Sequence, residues 1–125
     1  VVQYLQKFES SKLENLVLNF LMNKSIEEIS FLHNFTNLIS LTLNSCKIGH
    51  LIGNNESLFL TLANLKTLIL NNIKNIASIG DKVFDGLINL EILILKSNRI
   101  KQIEENAFKI LTKLRRISLK QNKLN

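Results

Sequence analysis

The apolar residues of this 125-residue chain recur in one phrase. Leu90, Leu93 and Leu95 read L-x-x-L-x-L, and Asn98, Ile100, Ile103, Phe108 and Leu111 follow. The phrase restarts at Leu114, Ile117, Leu119, Asn122 and Leu124, an offset of 24 residues from Leu90 to Leu114. An earlier copy, Leu65, Leu68 and Leu70, continues through Ile76, Ile79, Phe84 and Leu87 and is 25 residues long. Before it, Leu38, Leu41, Leu43, Cys46, Ile48 and Leu51 open a copy of 27 residues, closed by Phe59 and Leu62. The first copy starts at Leu13, Leu16 and Leu18, ends near Leu32 and Phe35, and has Leu21 where an asparagine is expected. The repeats therefore span 13–37, 38–64, 65–89, 90–113 and, in part, 114–125, with Val1 to Lys12 as the tail of a preceding one.

A short L-x-L segment predicts a strand with alternate side chains turned inward. One such strand cannot bury its inner face. Stacked copies make a parallel sheet over one continuous core, so a repeat at this period predicts a solenoid. An asparagine after the strand can bond the backbone of adjacent turns; Asn98 and Asn122 fill that slot, with Cys46 as a substitute. Phe59, Phe84 and Phe108 each stand six residues before the next first leucine, and this spacing predicts a ring stack on the convex side. The same spacing accounts for these phenylalanines without a cofactor.

Leucine, asparagine and phenylalanine slots recurring together resemble the leucine-rich repeat family over nearly the whole chain. The phrase Asn98-x-Ile100-x-x-Ile103-x4-Phe108-x-x-Leu111 is similar to the 24-residue class, which in animals dominates extracellular and receptor proteins, Toll-like receptor ectodomains among them. The resemblance implies an α/β fold: a curved horseshoe segment with a parallel concave sheet and an irregular or short-helical convex side. It also implies ligand binding on the concave face. Cysteine-rich caps and prolines are missing, so the chain is expected to be an internal segment of a larger ectodomain. A start at Val1, without a signal-peptide pattern, agrees with a processed product or a fragment.

The template assigns outward columns. One is Val17, Thr42, Ile69, Ile94 and Ser118; the next is Asn19, Asn44, Asn71, Lys96 and Lys120. Asn15, Ser40, Thr67, Ile92 and Arg116 precede the strand centre, and Phe20, Ser45, Asn72, Ser97 and Gln121 follow it. Ile69, Ile92 and Ile94 are expected to cluster outward as an exposed apolar patch. Such a patch marks an interface, or it reflects only the liking of β-branched residues for strands. Lys96, Arg116 and Lys120 converge on the same face, and neighbouring like charges cost stability, which points to an anionic partner. The candidate partner-binding set is thus Ile69, Asn71, Ile92, Ile94, Lys96, Arg116, Ser118 and Lys120.

Composition changes this picture in a few respects. Apolar residues make up 46% and charged residues 21%, a globular balance that needs no metal or disulfide. No apolar run has the length of a membrane span. The net charge of +6 is uneven: residues 1–60 hold four lysines against five acids, and residues 61–125 hold twelve basic residues against five acids. Such asymmetry suits an acidic partner, with a solvated basic surface as the plainer reading; the partner expected is a protein ligand or a second copy of the chain. Nucleic acid or another polyanion is the alternative, although no aromatic stacking platform accompanies the charges. Cys46 reads as a small buried apolar residue, with a reactive thiol as the rival reading.

Three N-glycosylation triplets, starting at Asn23, Asn34 and Asn55, fall between predicted strands and favour an extracellular setting, secreted or at the cell surface. Catalysis is not expected. His33 and His50 stand alone, Glu27-Glu28 and Glu104-Glu105 read as solvated surface, and no glycine-rich phosphate loop, metal-ligand spacing or cofactor motif is present. The expected function is non-catalytic recognition in an immune-type receptor or secreted repeat protein. The alternatives are an intracellular scaffold or a microbial surface protein, to which Ile76-x-x-Ile79-Gly80 and Val83-Phe84 are similar, and a purely structural spacer.

Overall fold

The computed structural model describes residues 12–19, 31–46, 52–53, 56–74 and 76–125. The predicted strands form where the leucine phrase places them: β1 (Asn15–Asn19), β2 (Ser40–Asn44), β5 (Thr67–Asn71), β7 (Ile92–Ile94) and β9 (Arg116–Ser118). They make one sheet in the order β1-β2-β5-β7-β9, with every pair parallel. The register equates the template positions. Leu16, Leu41 and Leu68 pair in sequence, as do Leu68, Leu93 and Ile117. Burial alternates along β1, β2 and β5, leucines in and intervening residues out, because side chains of a strand point to opposite faces.

Each strand is entered and left by the same backbone device. At the start, one carbonyl accepts two consecutive amides of the next repeat: Lys66 O takes Glu91 N at 2.8 Å and Ile92 N at 3.0 Å, and Glu91 O takes Arg115 N at 2.8 Å and Arg116 N at 3.1 Å. After the strand, Ser45, Asn72, Ser97 and Gln121 all sit in the left-handed region, with φ between 53° and 61°. That one residue turns the chain out of the sheet at the same point of these four repeats.

The core is a column of leucines, with Leu41, Leu68 and Leu93 fully buried. Stacked rings continue it in the turn segments. Phe59 and Phe84 lie 6.5 Å apart at 13°, and Phe84 and Phe108 lie 5.9 Å apart at 20°. In the first repeat the equivalent slot holds Leu32, also fully buried. The apolar column opens at the last repeat, where Ile117 is 40% exposed.

Of the expected irregular or short-helical return side, the described residues take the irregular form. Among the described residues helix is almost absent, reduced to a 3-10 turn over residues 31–34 and one such residue at Lys12. The return segments run as successive tight turns, for example Leu87 N to Phe84 O at 3.1 Å and Leu111 N to Phe108 O at 3.0 Å. A repeat this short leaves no room for the three or more turns that make a helix cooperative. A second, smaller parallel ladder joins the returns instead, between β6 (Ser78–Ile79) and β8 (Gln102–Ile103). The longest repeat spends its extra residues on an antiparallel pair, β3 (Ile52–Gly53) with β4 (Glu56–Ser57). The fold is a parallel-strand β-solenoid.

Glu104 and Asp81 hold the returns together. The amide of Asp81 donates to Glu104 Oε2 at 2.8 Å, and the amide of Asn106 donates to Asp81 Oδ1 at 3.0 Å. These acids act as turn caps. Glu27, Glu28, His50 and the tail before Lys12 lie outside the described residues.

Candidate binding face of the sheet

The outward face inherits its order from the register. Ile69 pairs with Ile94, Ile94 with Ser118, Thr67 with Ile92, and Ile92 with Arg116. Neighbouring strands are about 4.8 Å apart, so these side chains touch or nearly touch across the sheet. Ile69, Ile92 and Ile94 therefore form one cluster, as the template requires. They are half-buried, however, and not the exposed patch expected. Cross-strand neighbours at that spacing shield each other's flanks. The most exposed large apolar residue of this face is Val17, at 58%.

The next column begins as an amide ladder. Asn44 Nδ2 donates to Asn19 Oδ1 at 2.8 Å, and Asn71 Nδ2 donates to Asn44 Oδ1 at 3.2 Å. The column then changes character. Lys96 and Lys120 occupy its last two places, fixed there by Asn72 N to Lys96 O and Ser97 N to Lys120 O, both 3.0 Å. Both lysines are exposed, as is Arg116, while Ser118 is half-buried. Among the described residues, none of these three cationic side chains has an ion-pair or hydrogen-bond partner. A parallel ladder runs at the turn, where Asn72 Nδ2 donates to Ser45 Oγ at 3.2 Å and Ser97 Oγ to Gln121 Oε1 at 2.9 Å.

One residue beside this face escaped the sequence reading. Arg115 and Arg116 together with Glu91 and Ile92 line an open groove of 360 Å³ at the strand starts. The signal was available as a column one place before Arg116, in which Lys66, Glu91 and Arg115 alternate in sign.

Among the described residues no three His, Cys, Asp or Glu side chains gather as a metal site. No described helix is long and apolar enough to cross a membrane. Cys46 is buried, its thiol 3.9 Å from Leu18 O in the preceding repeat and 3.5 Å from Asn44 O. That is the place Asn98 takes later, where Nδ2 donates to Leu70 O at 2.7 Å. Of the glycosylation candidates, Asn34 is exposed at the end of the 3-10 turn, beside buried Phe35 and exposed Thr36. Asn23 and Asn55 lie outside the described residues.

No curated protein matches the chain. The family model described as Leucine rich repeat matches residues 63–124, which include β5, β7 and β9 and the whole cationic part of the face. Repeats of this family generally mediate protein–protein recognition and are typically non-catalytic. The matched stretch, with its parallel strands, asparagine ladder and phenylalanine stack, is a leucine-rich repeat array.

Proposed function

We propose that this chain is a non-catalytic recognition segment that binds a protein ligand, or a second copy of itself, through the outward face of its sheet. This face would be the concave side of the expected horseshoe. The binding set is Ile69, Asn71, Ile92, Ile94, Lys96, Arg116, Ser118 and Lys120. The observation that carries this reading is the unbroken parallel register: it lays equivalent side chains of successive repeats side by side on one open surface. The leucines are consumed by the core, and the side chains of Lys96, Arg116 and Lys120 on the outward side make no hydrogen bond or ion pair among the described residues. An open array of this kind offers area and column-wise chemistry, which suits a macromolecule better than a small substrate.

The test is capture from an extract of the native source, with the chain and its Ile94→Asp/Lys120→Glu variant as baits. A stoichiometric partner held by the native chain, lost by the folded double variant and kept by Lys109→Glu in a turn segment supports the face. Equal capture by all three baits refutes it.

An extracellular setting, as in the Toll-like receptor ectodomains whose repeat class the chain resembles, completes the proposal. Asn34 supports it, because its exposed position beside buried Phe35 lets a glycan stand clear of the core. Mass measurement of chain secreted from eukaryotic cells tests it: a glycan removed by Asn34→Gln is expected, and an unmodified Asn34 contradicts it.

A further inference from the structure

We propose that the partner strand at this face is acidic: Lys96, Arg116 and Lys120 take its carboxylates while Ile69, Ile92 and Ile94 take its apolar side chains, an inference that rests on reading the outward face as a recognition surface.

The asparagine ladder is the first ground. Each amide oxygen in it accepts from the amide nitrogen of the next repeat, Asn19 from Asn44 and Asn44 from Asn71. An asparagine at position 96 would continue the series. Lys96 stands there instead, and Asn71 Oδ1 is buried with no hydrogen-bond partner. A buried acceptor without a donor costs stability. Lys120 follows Lys96 in the same column, so two like charges stand side by side just past the adjacent strands β7 and β9. Two local costs fall in one column, and nothing in the described structure returns them. Positions that break the rules of their own fold are those shaped by a task other than folding.

Charge distribution is the second ground. Residues 106–125 carry six cations and no carboxylate side chain, whereas residues 1–105 balance ten basic against ten acidic residues. The whole net charge of +6 therefore sits at this end of the stack. Lys96 follows β7, which has a strand on either side, so its charge does not serve to guard a sheet edge.

The third ground is the neighbour of the charges. Ile92 and Ile94 lie at alternate positions of β7, and Lys96 stands two residues further on, at the turn that leaves the strand. A peptide strand turns every second side chain to this face, so a segment whose every second position is in turn apolar and carboxylate presents both chemistries to it. A nucleic acid would leave the isoleucines unused. Of the described phenylalanines, Phe31, Phe35, Phe59 and Phe84 are buried in the core and Phe108 is held in the ring stack, so no described phenylalanine stands on this face to stack on a base.

The test titrates the full chain with a peptide of about twelve residues in which Glu and Val take turns at every second position with Ser between them, against its Lys-and-Val counterpart and a single-stranded oligonucleotide of matched charge. We expect binding of the acidic peptide alone among the peptides, weakened by added salt. Lys96→Asn should weaken it about threefold, the size of one exposed ion pair. Lys96→Met, which removes only the charge, should weaken it equally. By completing the ladder, Lys96→Asn should also raise Tm by about 3 °C. Absent peptide binding, binding indifferent to both Lys96 variants, tighter binding of the oligonucleotide at the same salt, or an unchanged or lower Tm for Lys96→Asn would each overturn the proposal. If the acidic peptide fails while the Ile94→Asp/Lys120→Glu bait still loses its partner, recognition by this face stands and only the acidic chemistry falls.

Discussion

The side-chain amide of Asn98 donates to the carbonyl of Leu70, 2.7 Å away in the preceding repeat, while its oxygen accepts the amide of Ile73 at 2.7 Å. Asn98 is fully buried, so these two bonds are made out of reach of water. Asn122 repeats the arrangement with Leu95 O at 2.6 Å and with the amides of Asn98 and Ile100 at 3.1 and 3.0 Å. One side chain thus replaces the backbone partner that a turn between parallel strands cannot supply.

Asn98→Leu keeps the volume and orphans both backbone groups. At roughly 1–3 kcal/mol for each unsatisfied buried group, the loss should be about 3 kcal/mol in urea unfolding. Asn122→Leu, at a half-buried position, should lose less. Equal losses would mean that burial does not set the strength of the ladder.

Gly86 has φ of +93°, and a Cβ placed on it would lie 2.2 Å from the carbonyl oxygen of Leu60. Backbone would have to move, in addition to the strain of a side chain in that conformation. Gly86→Ala is expected to cost about 3 kcal/mol by the same unfolding measurement. A cost below about 1 kcal/mol, the ordinary scale of a surface substitution, would show that the two repeats are not packed this closely.

Arg99 lies in the left-handed region at φ 60° and its side chain is exposed. Glycine relieves a conformational cost of about 1 kcal/mol at such a site, so Arg99→Gly should raise stability by up to that amount. A lower Tm would indicate that the arginine side chain contributes more than its backbone costs.

The ring stack ranks its own members. Phe84 is fully buried between Phe59 and Phe108, and Phe108 is half-buried. Phe84→Ala should cost about 3–5 kcal/mol, the range of core phenylalanine truncations. Phe108→Ala should cost distinctly less. The reverse order in paired denaturation curves would refute the stack as the core of the return segments.

The strands were legible because leucine spacing and strand register are one constraint seen twice. Leu68 and Leu93 sit at the same place in the phrase and pair in the sheet. The phenylalanine stack followed for the same reason. The strand exits were not legible: Ser45, Asn72, Ser97 and Gln121 take positive φ without a glycine among them, so composition gives no sign of the turn. The scarcity of helix among the described residues was equally hidden, since turn-rich returns and short helices share their apolar spacing. At the candidate site, the columns were readable as positions but not as bonds. The template listing of Asn19, Asn44, Asn71, Lys96 and Lys120 does not reveal which oxygen the last asparagine leaves open. The half-burial of Ile69, Ile92 and Ile94 depends on cross-strand shielding, which exists only once the repeats are stacked.

Photo-crosslinking against the captured partner tests the binding face most directly, with a photoreactive residue placed in turn at Thr42, Ser118, Asp81 and Lys109. Thr42 and Ser118 stand on the outward columns of β2 and β9, and Asp81 and Lys109 stand in turn segments. The account predicts crosslinks from Ser118 and none from Asp81 or Lys109, with Thr42 marking how far the contact extends along the sheet. Crosslinks from Asp81 or Lys109 with none from Ser118 would contradict it.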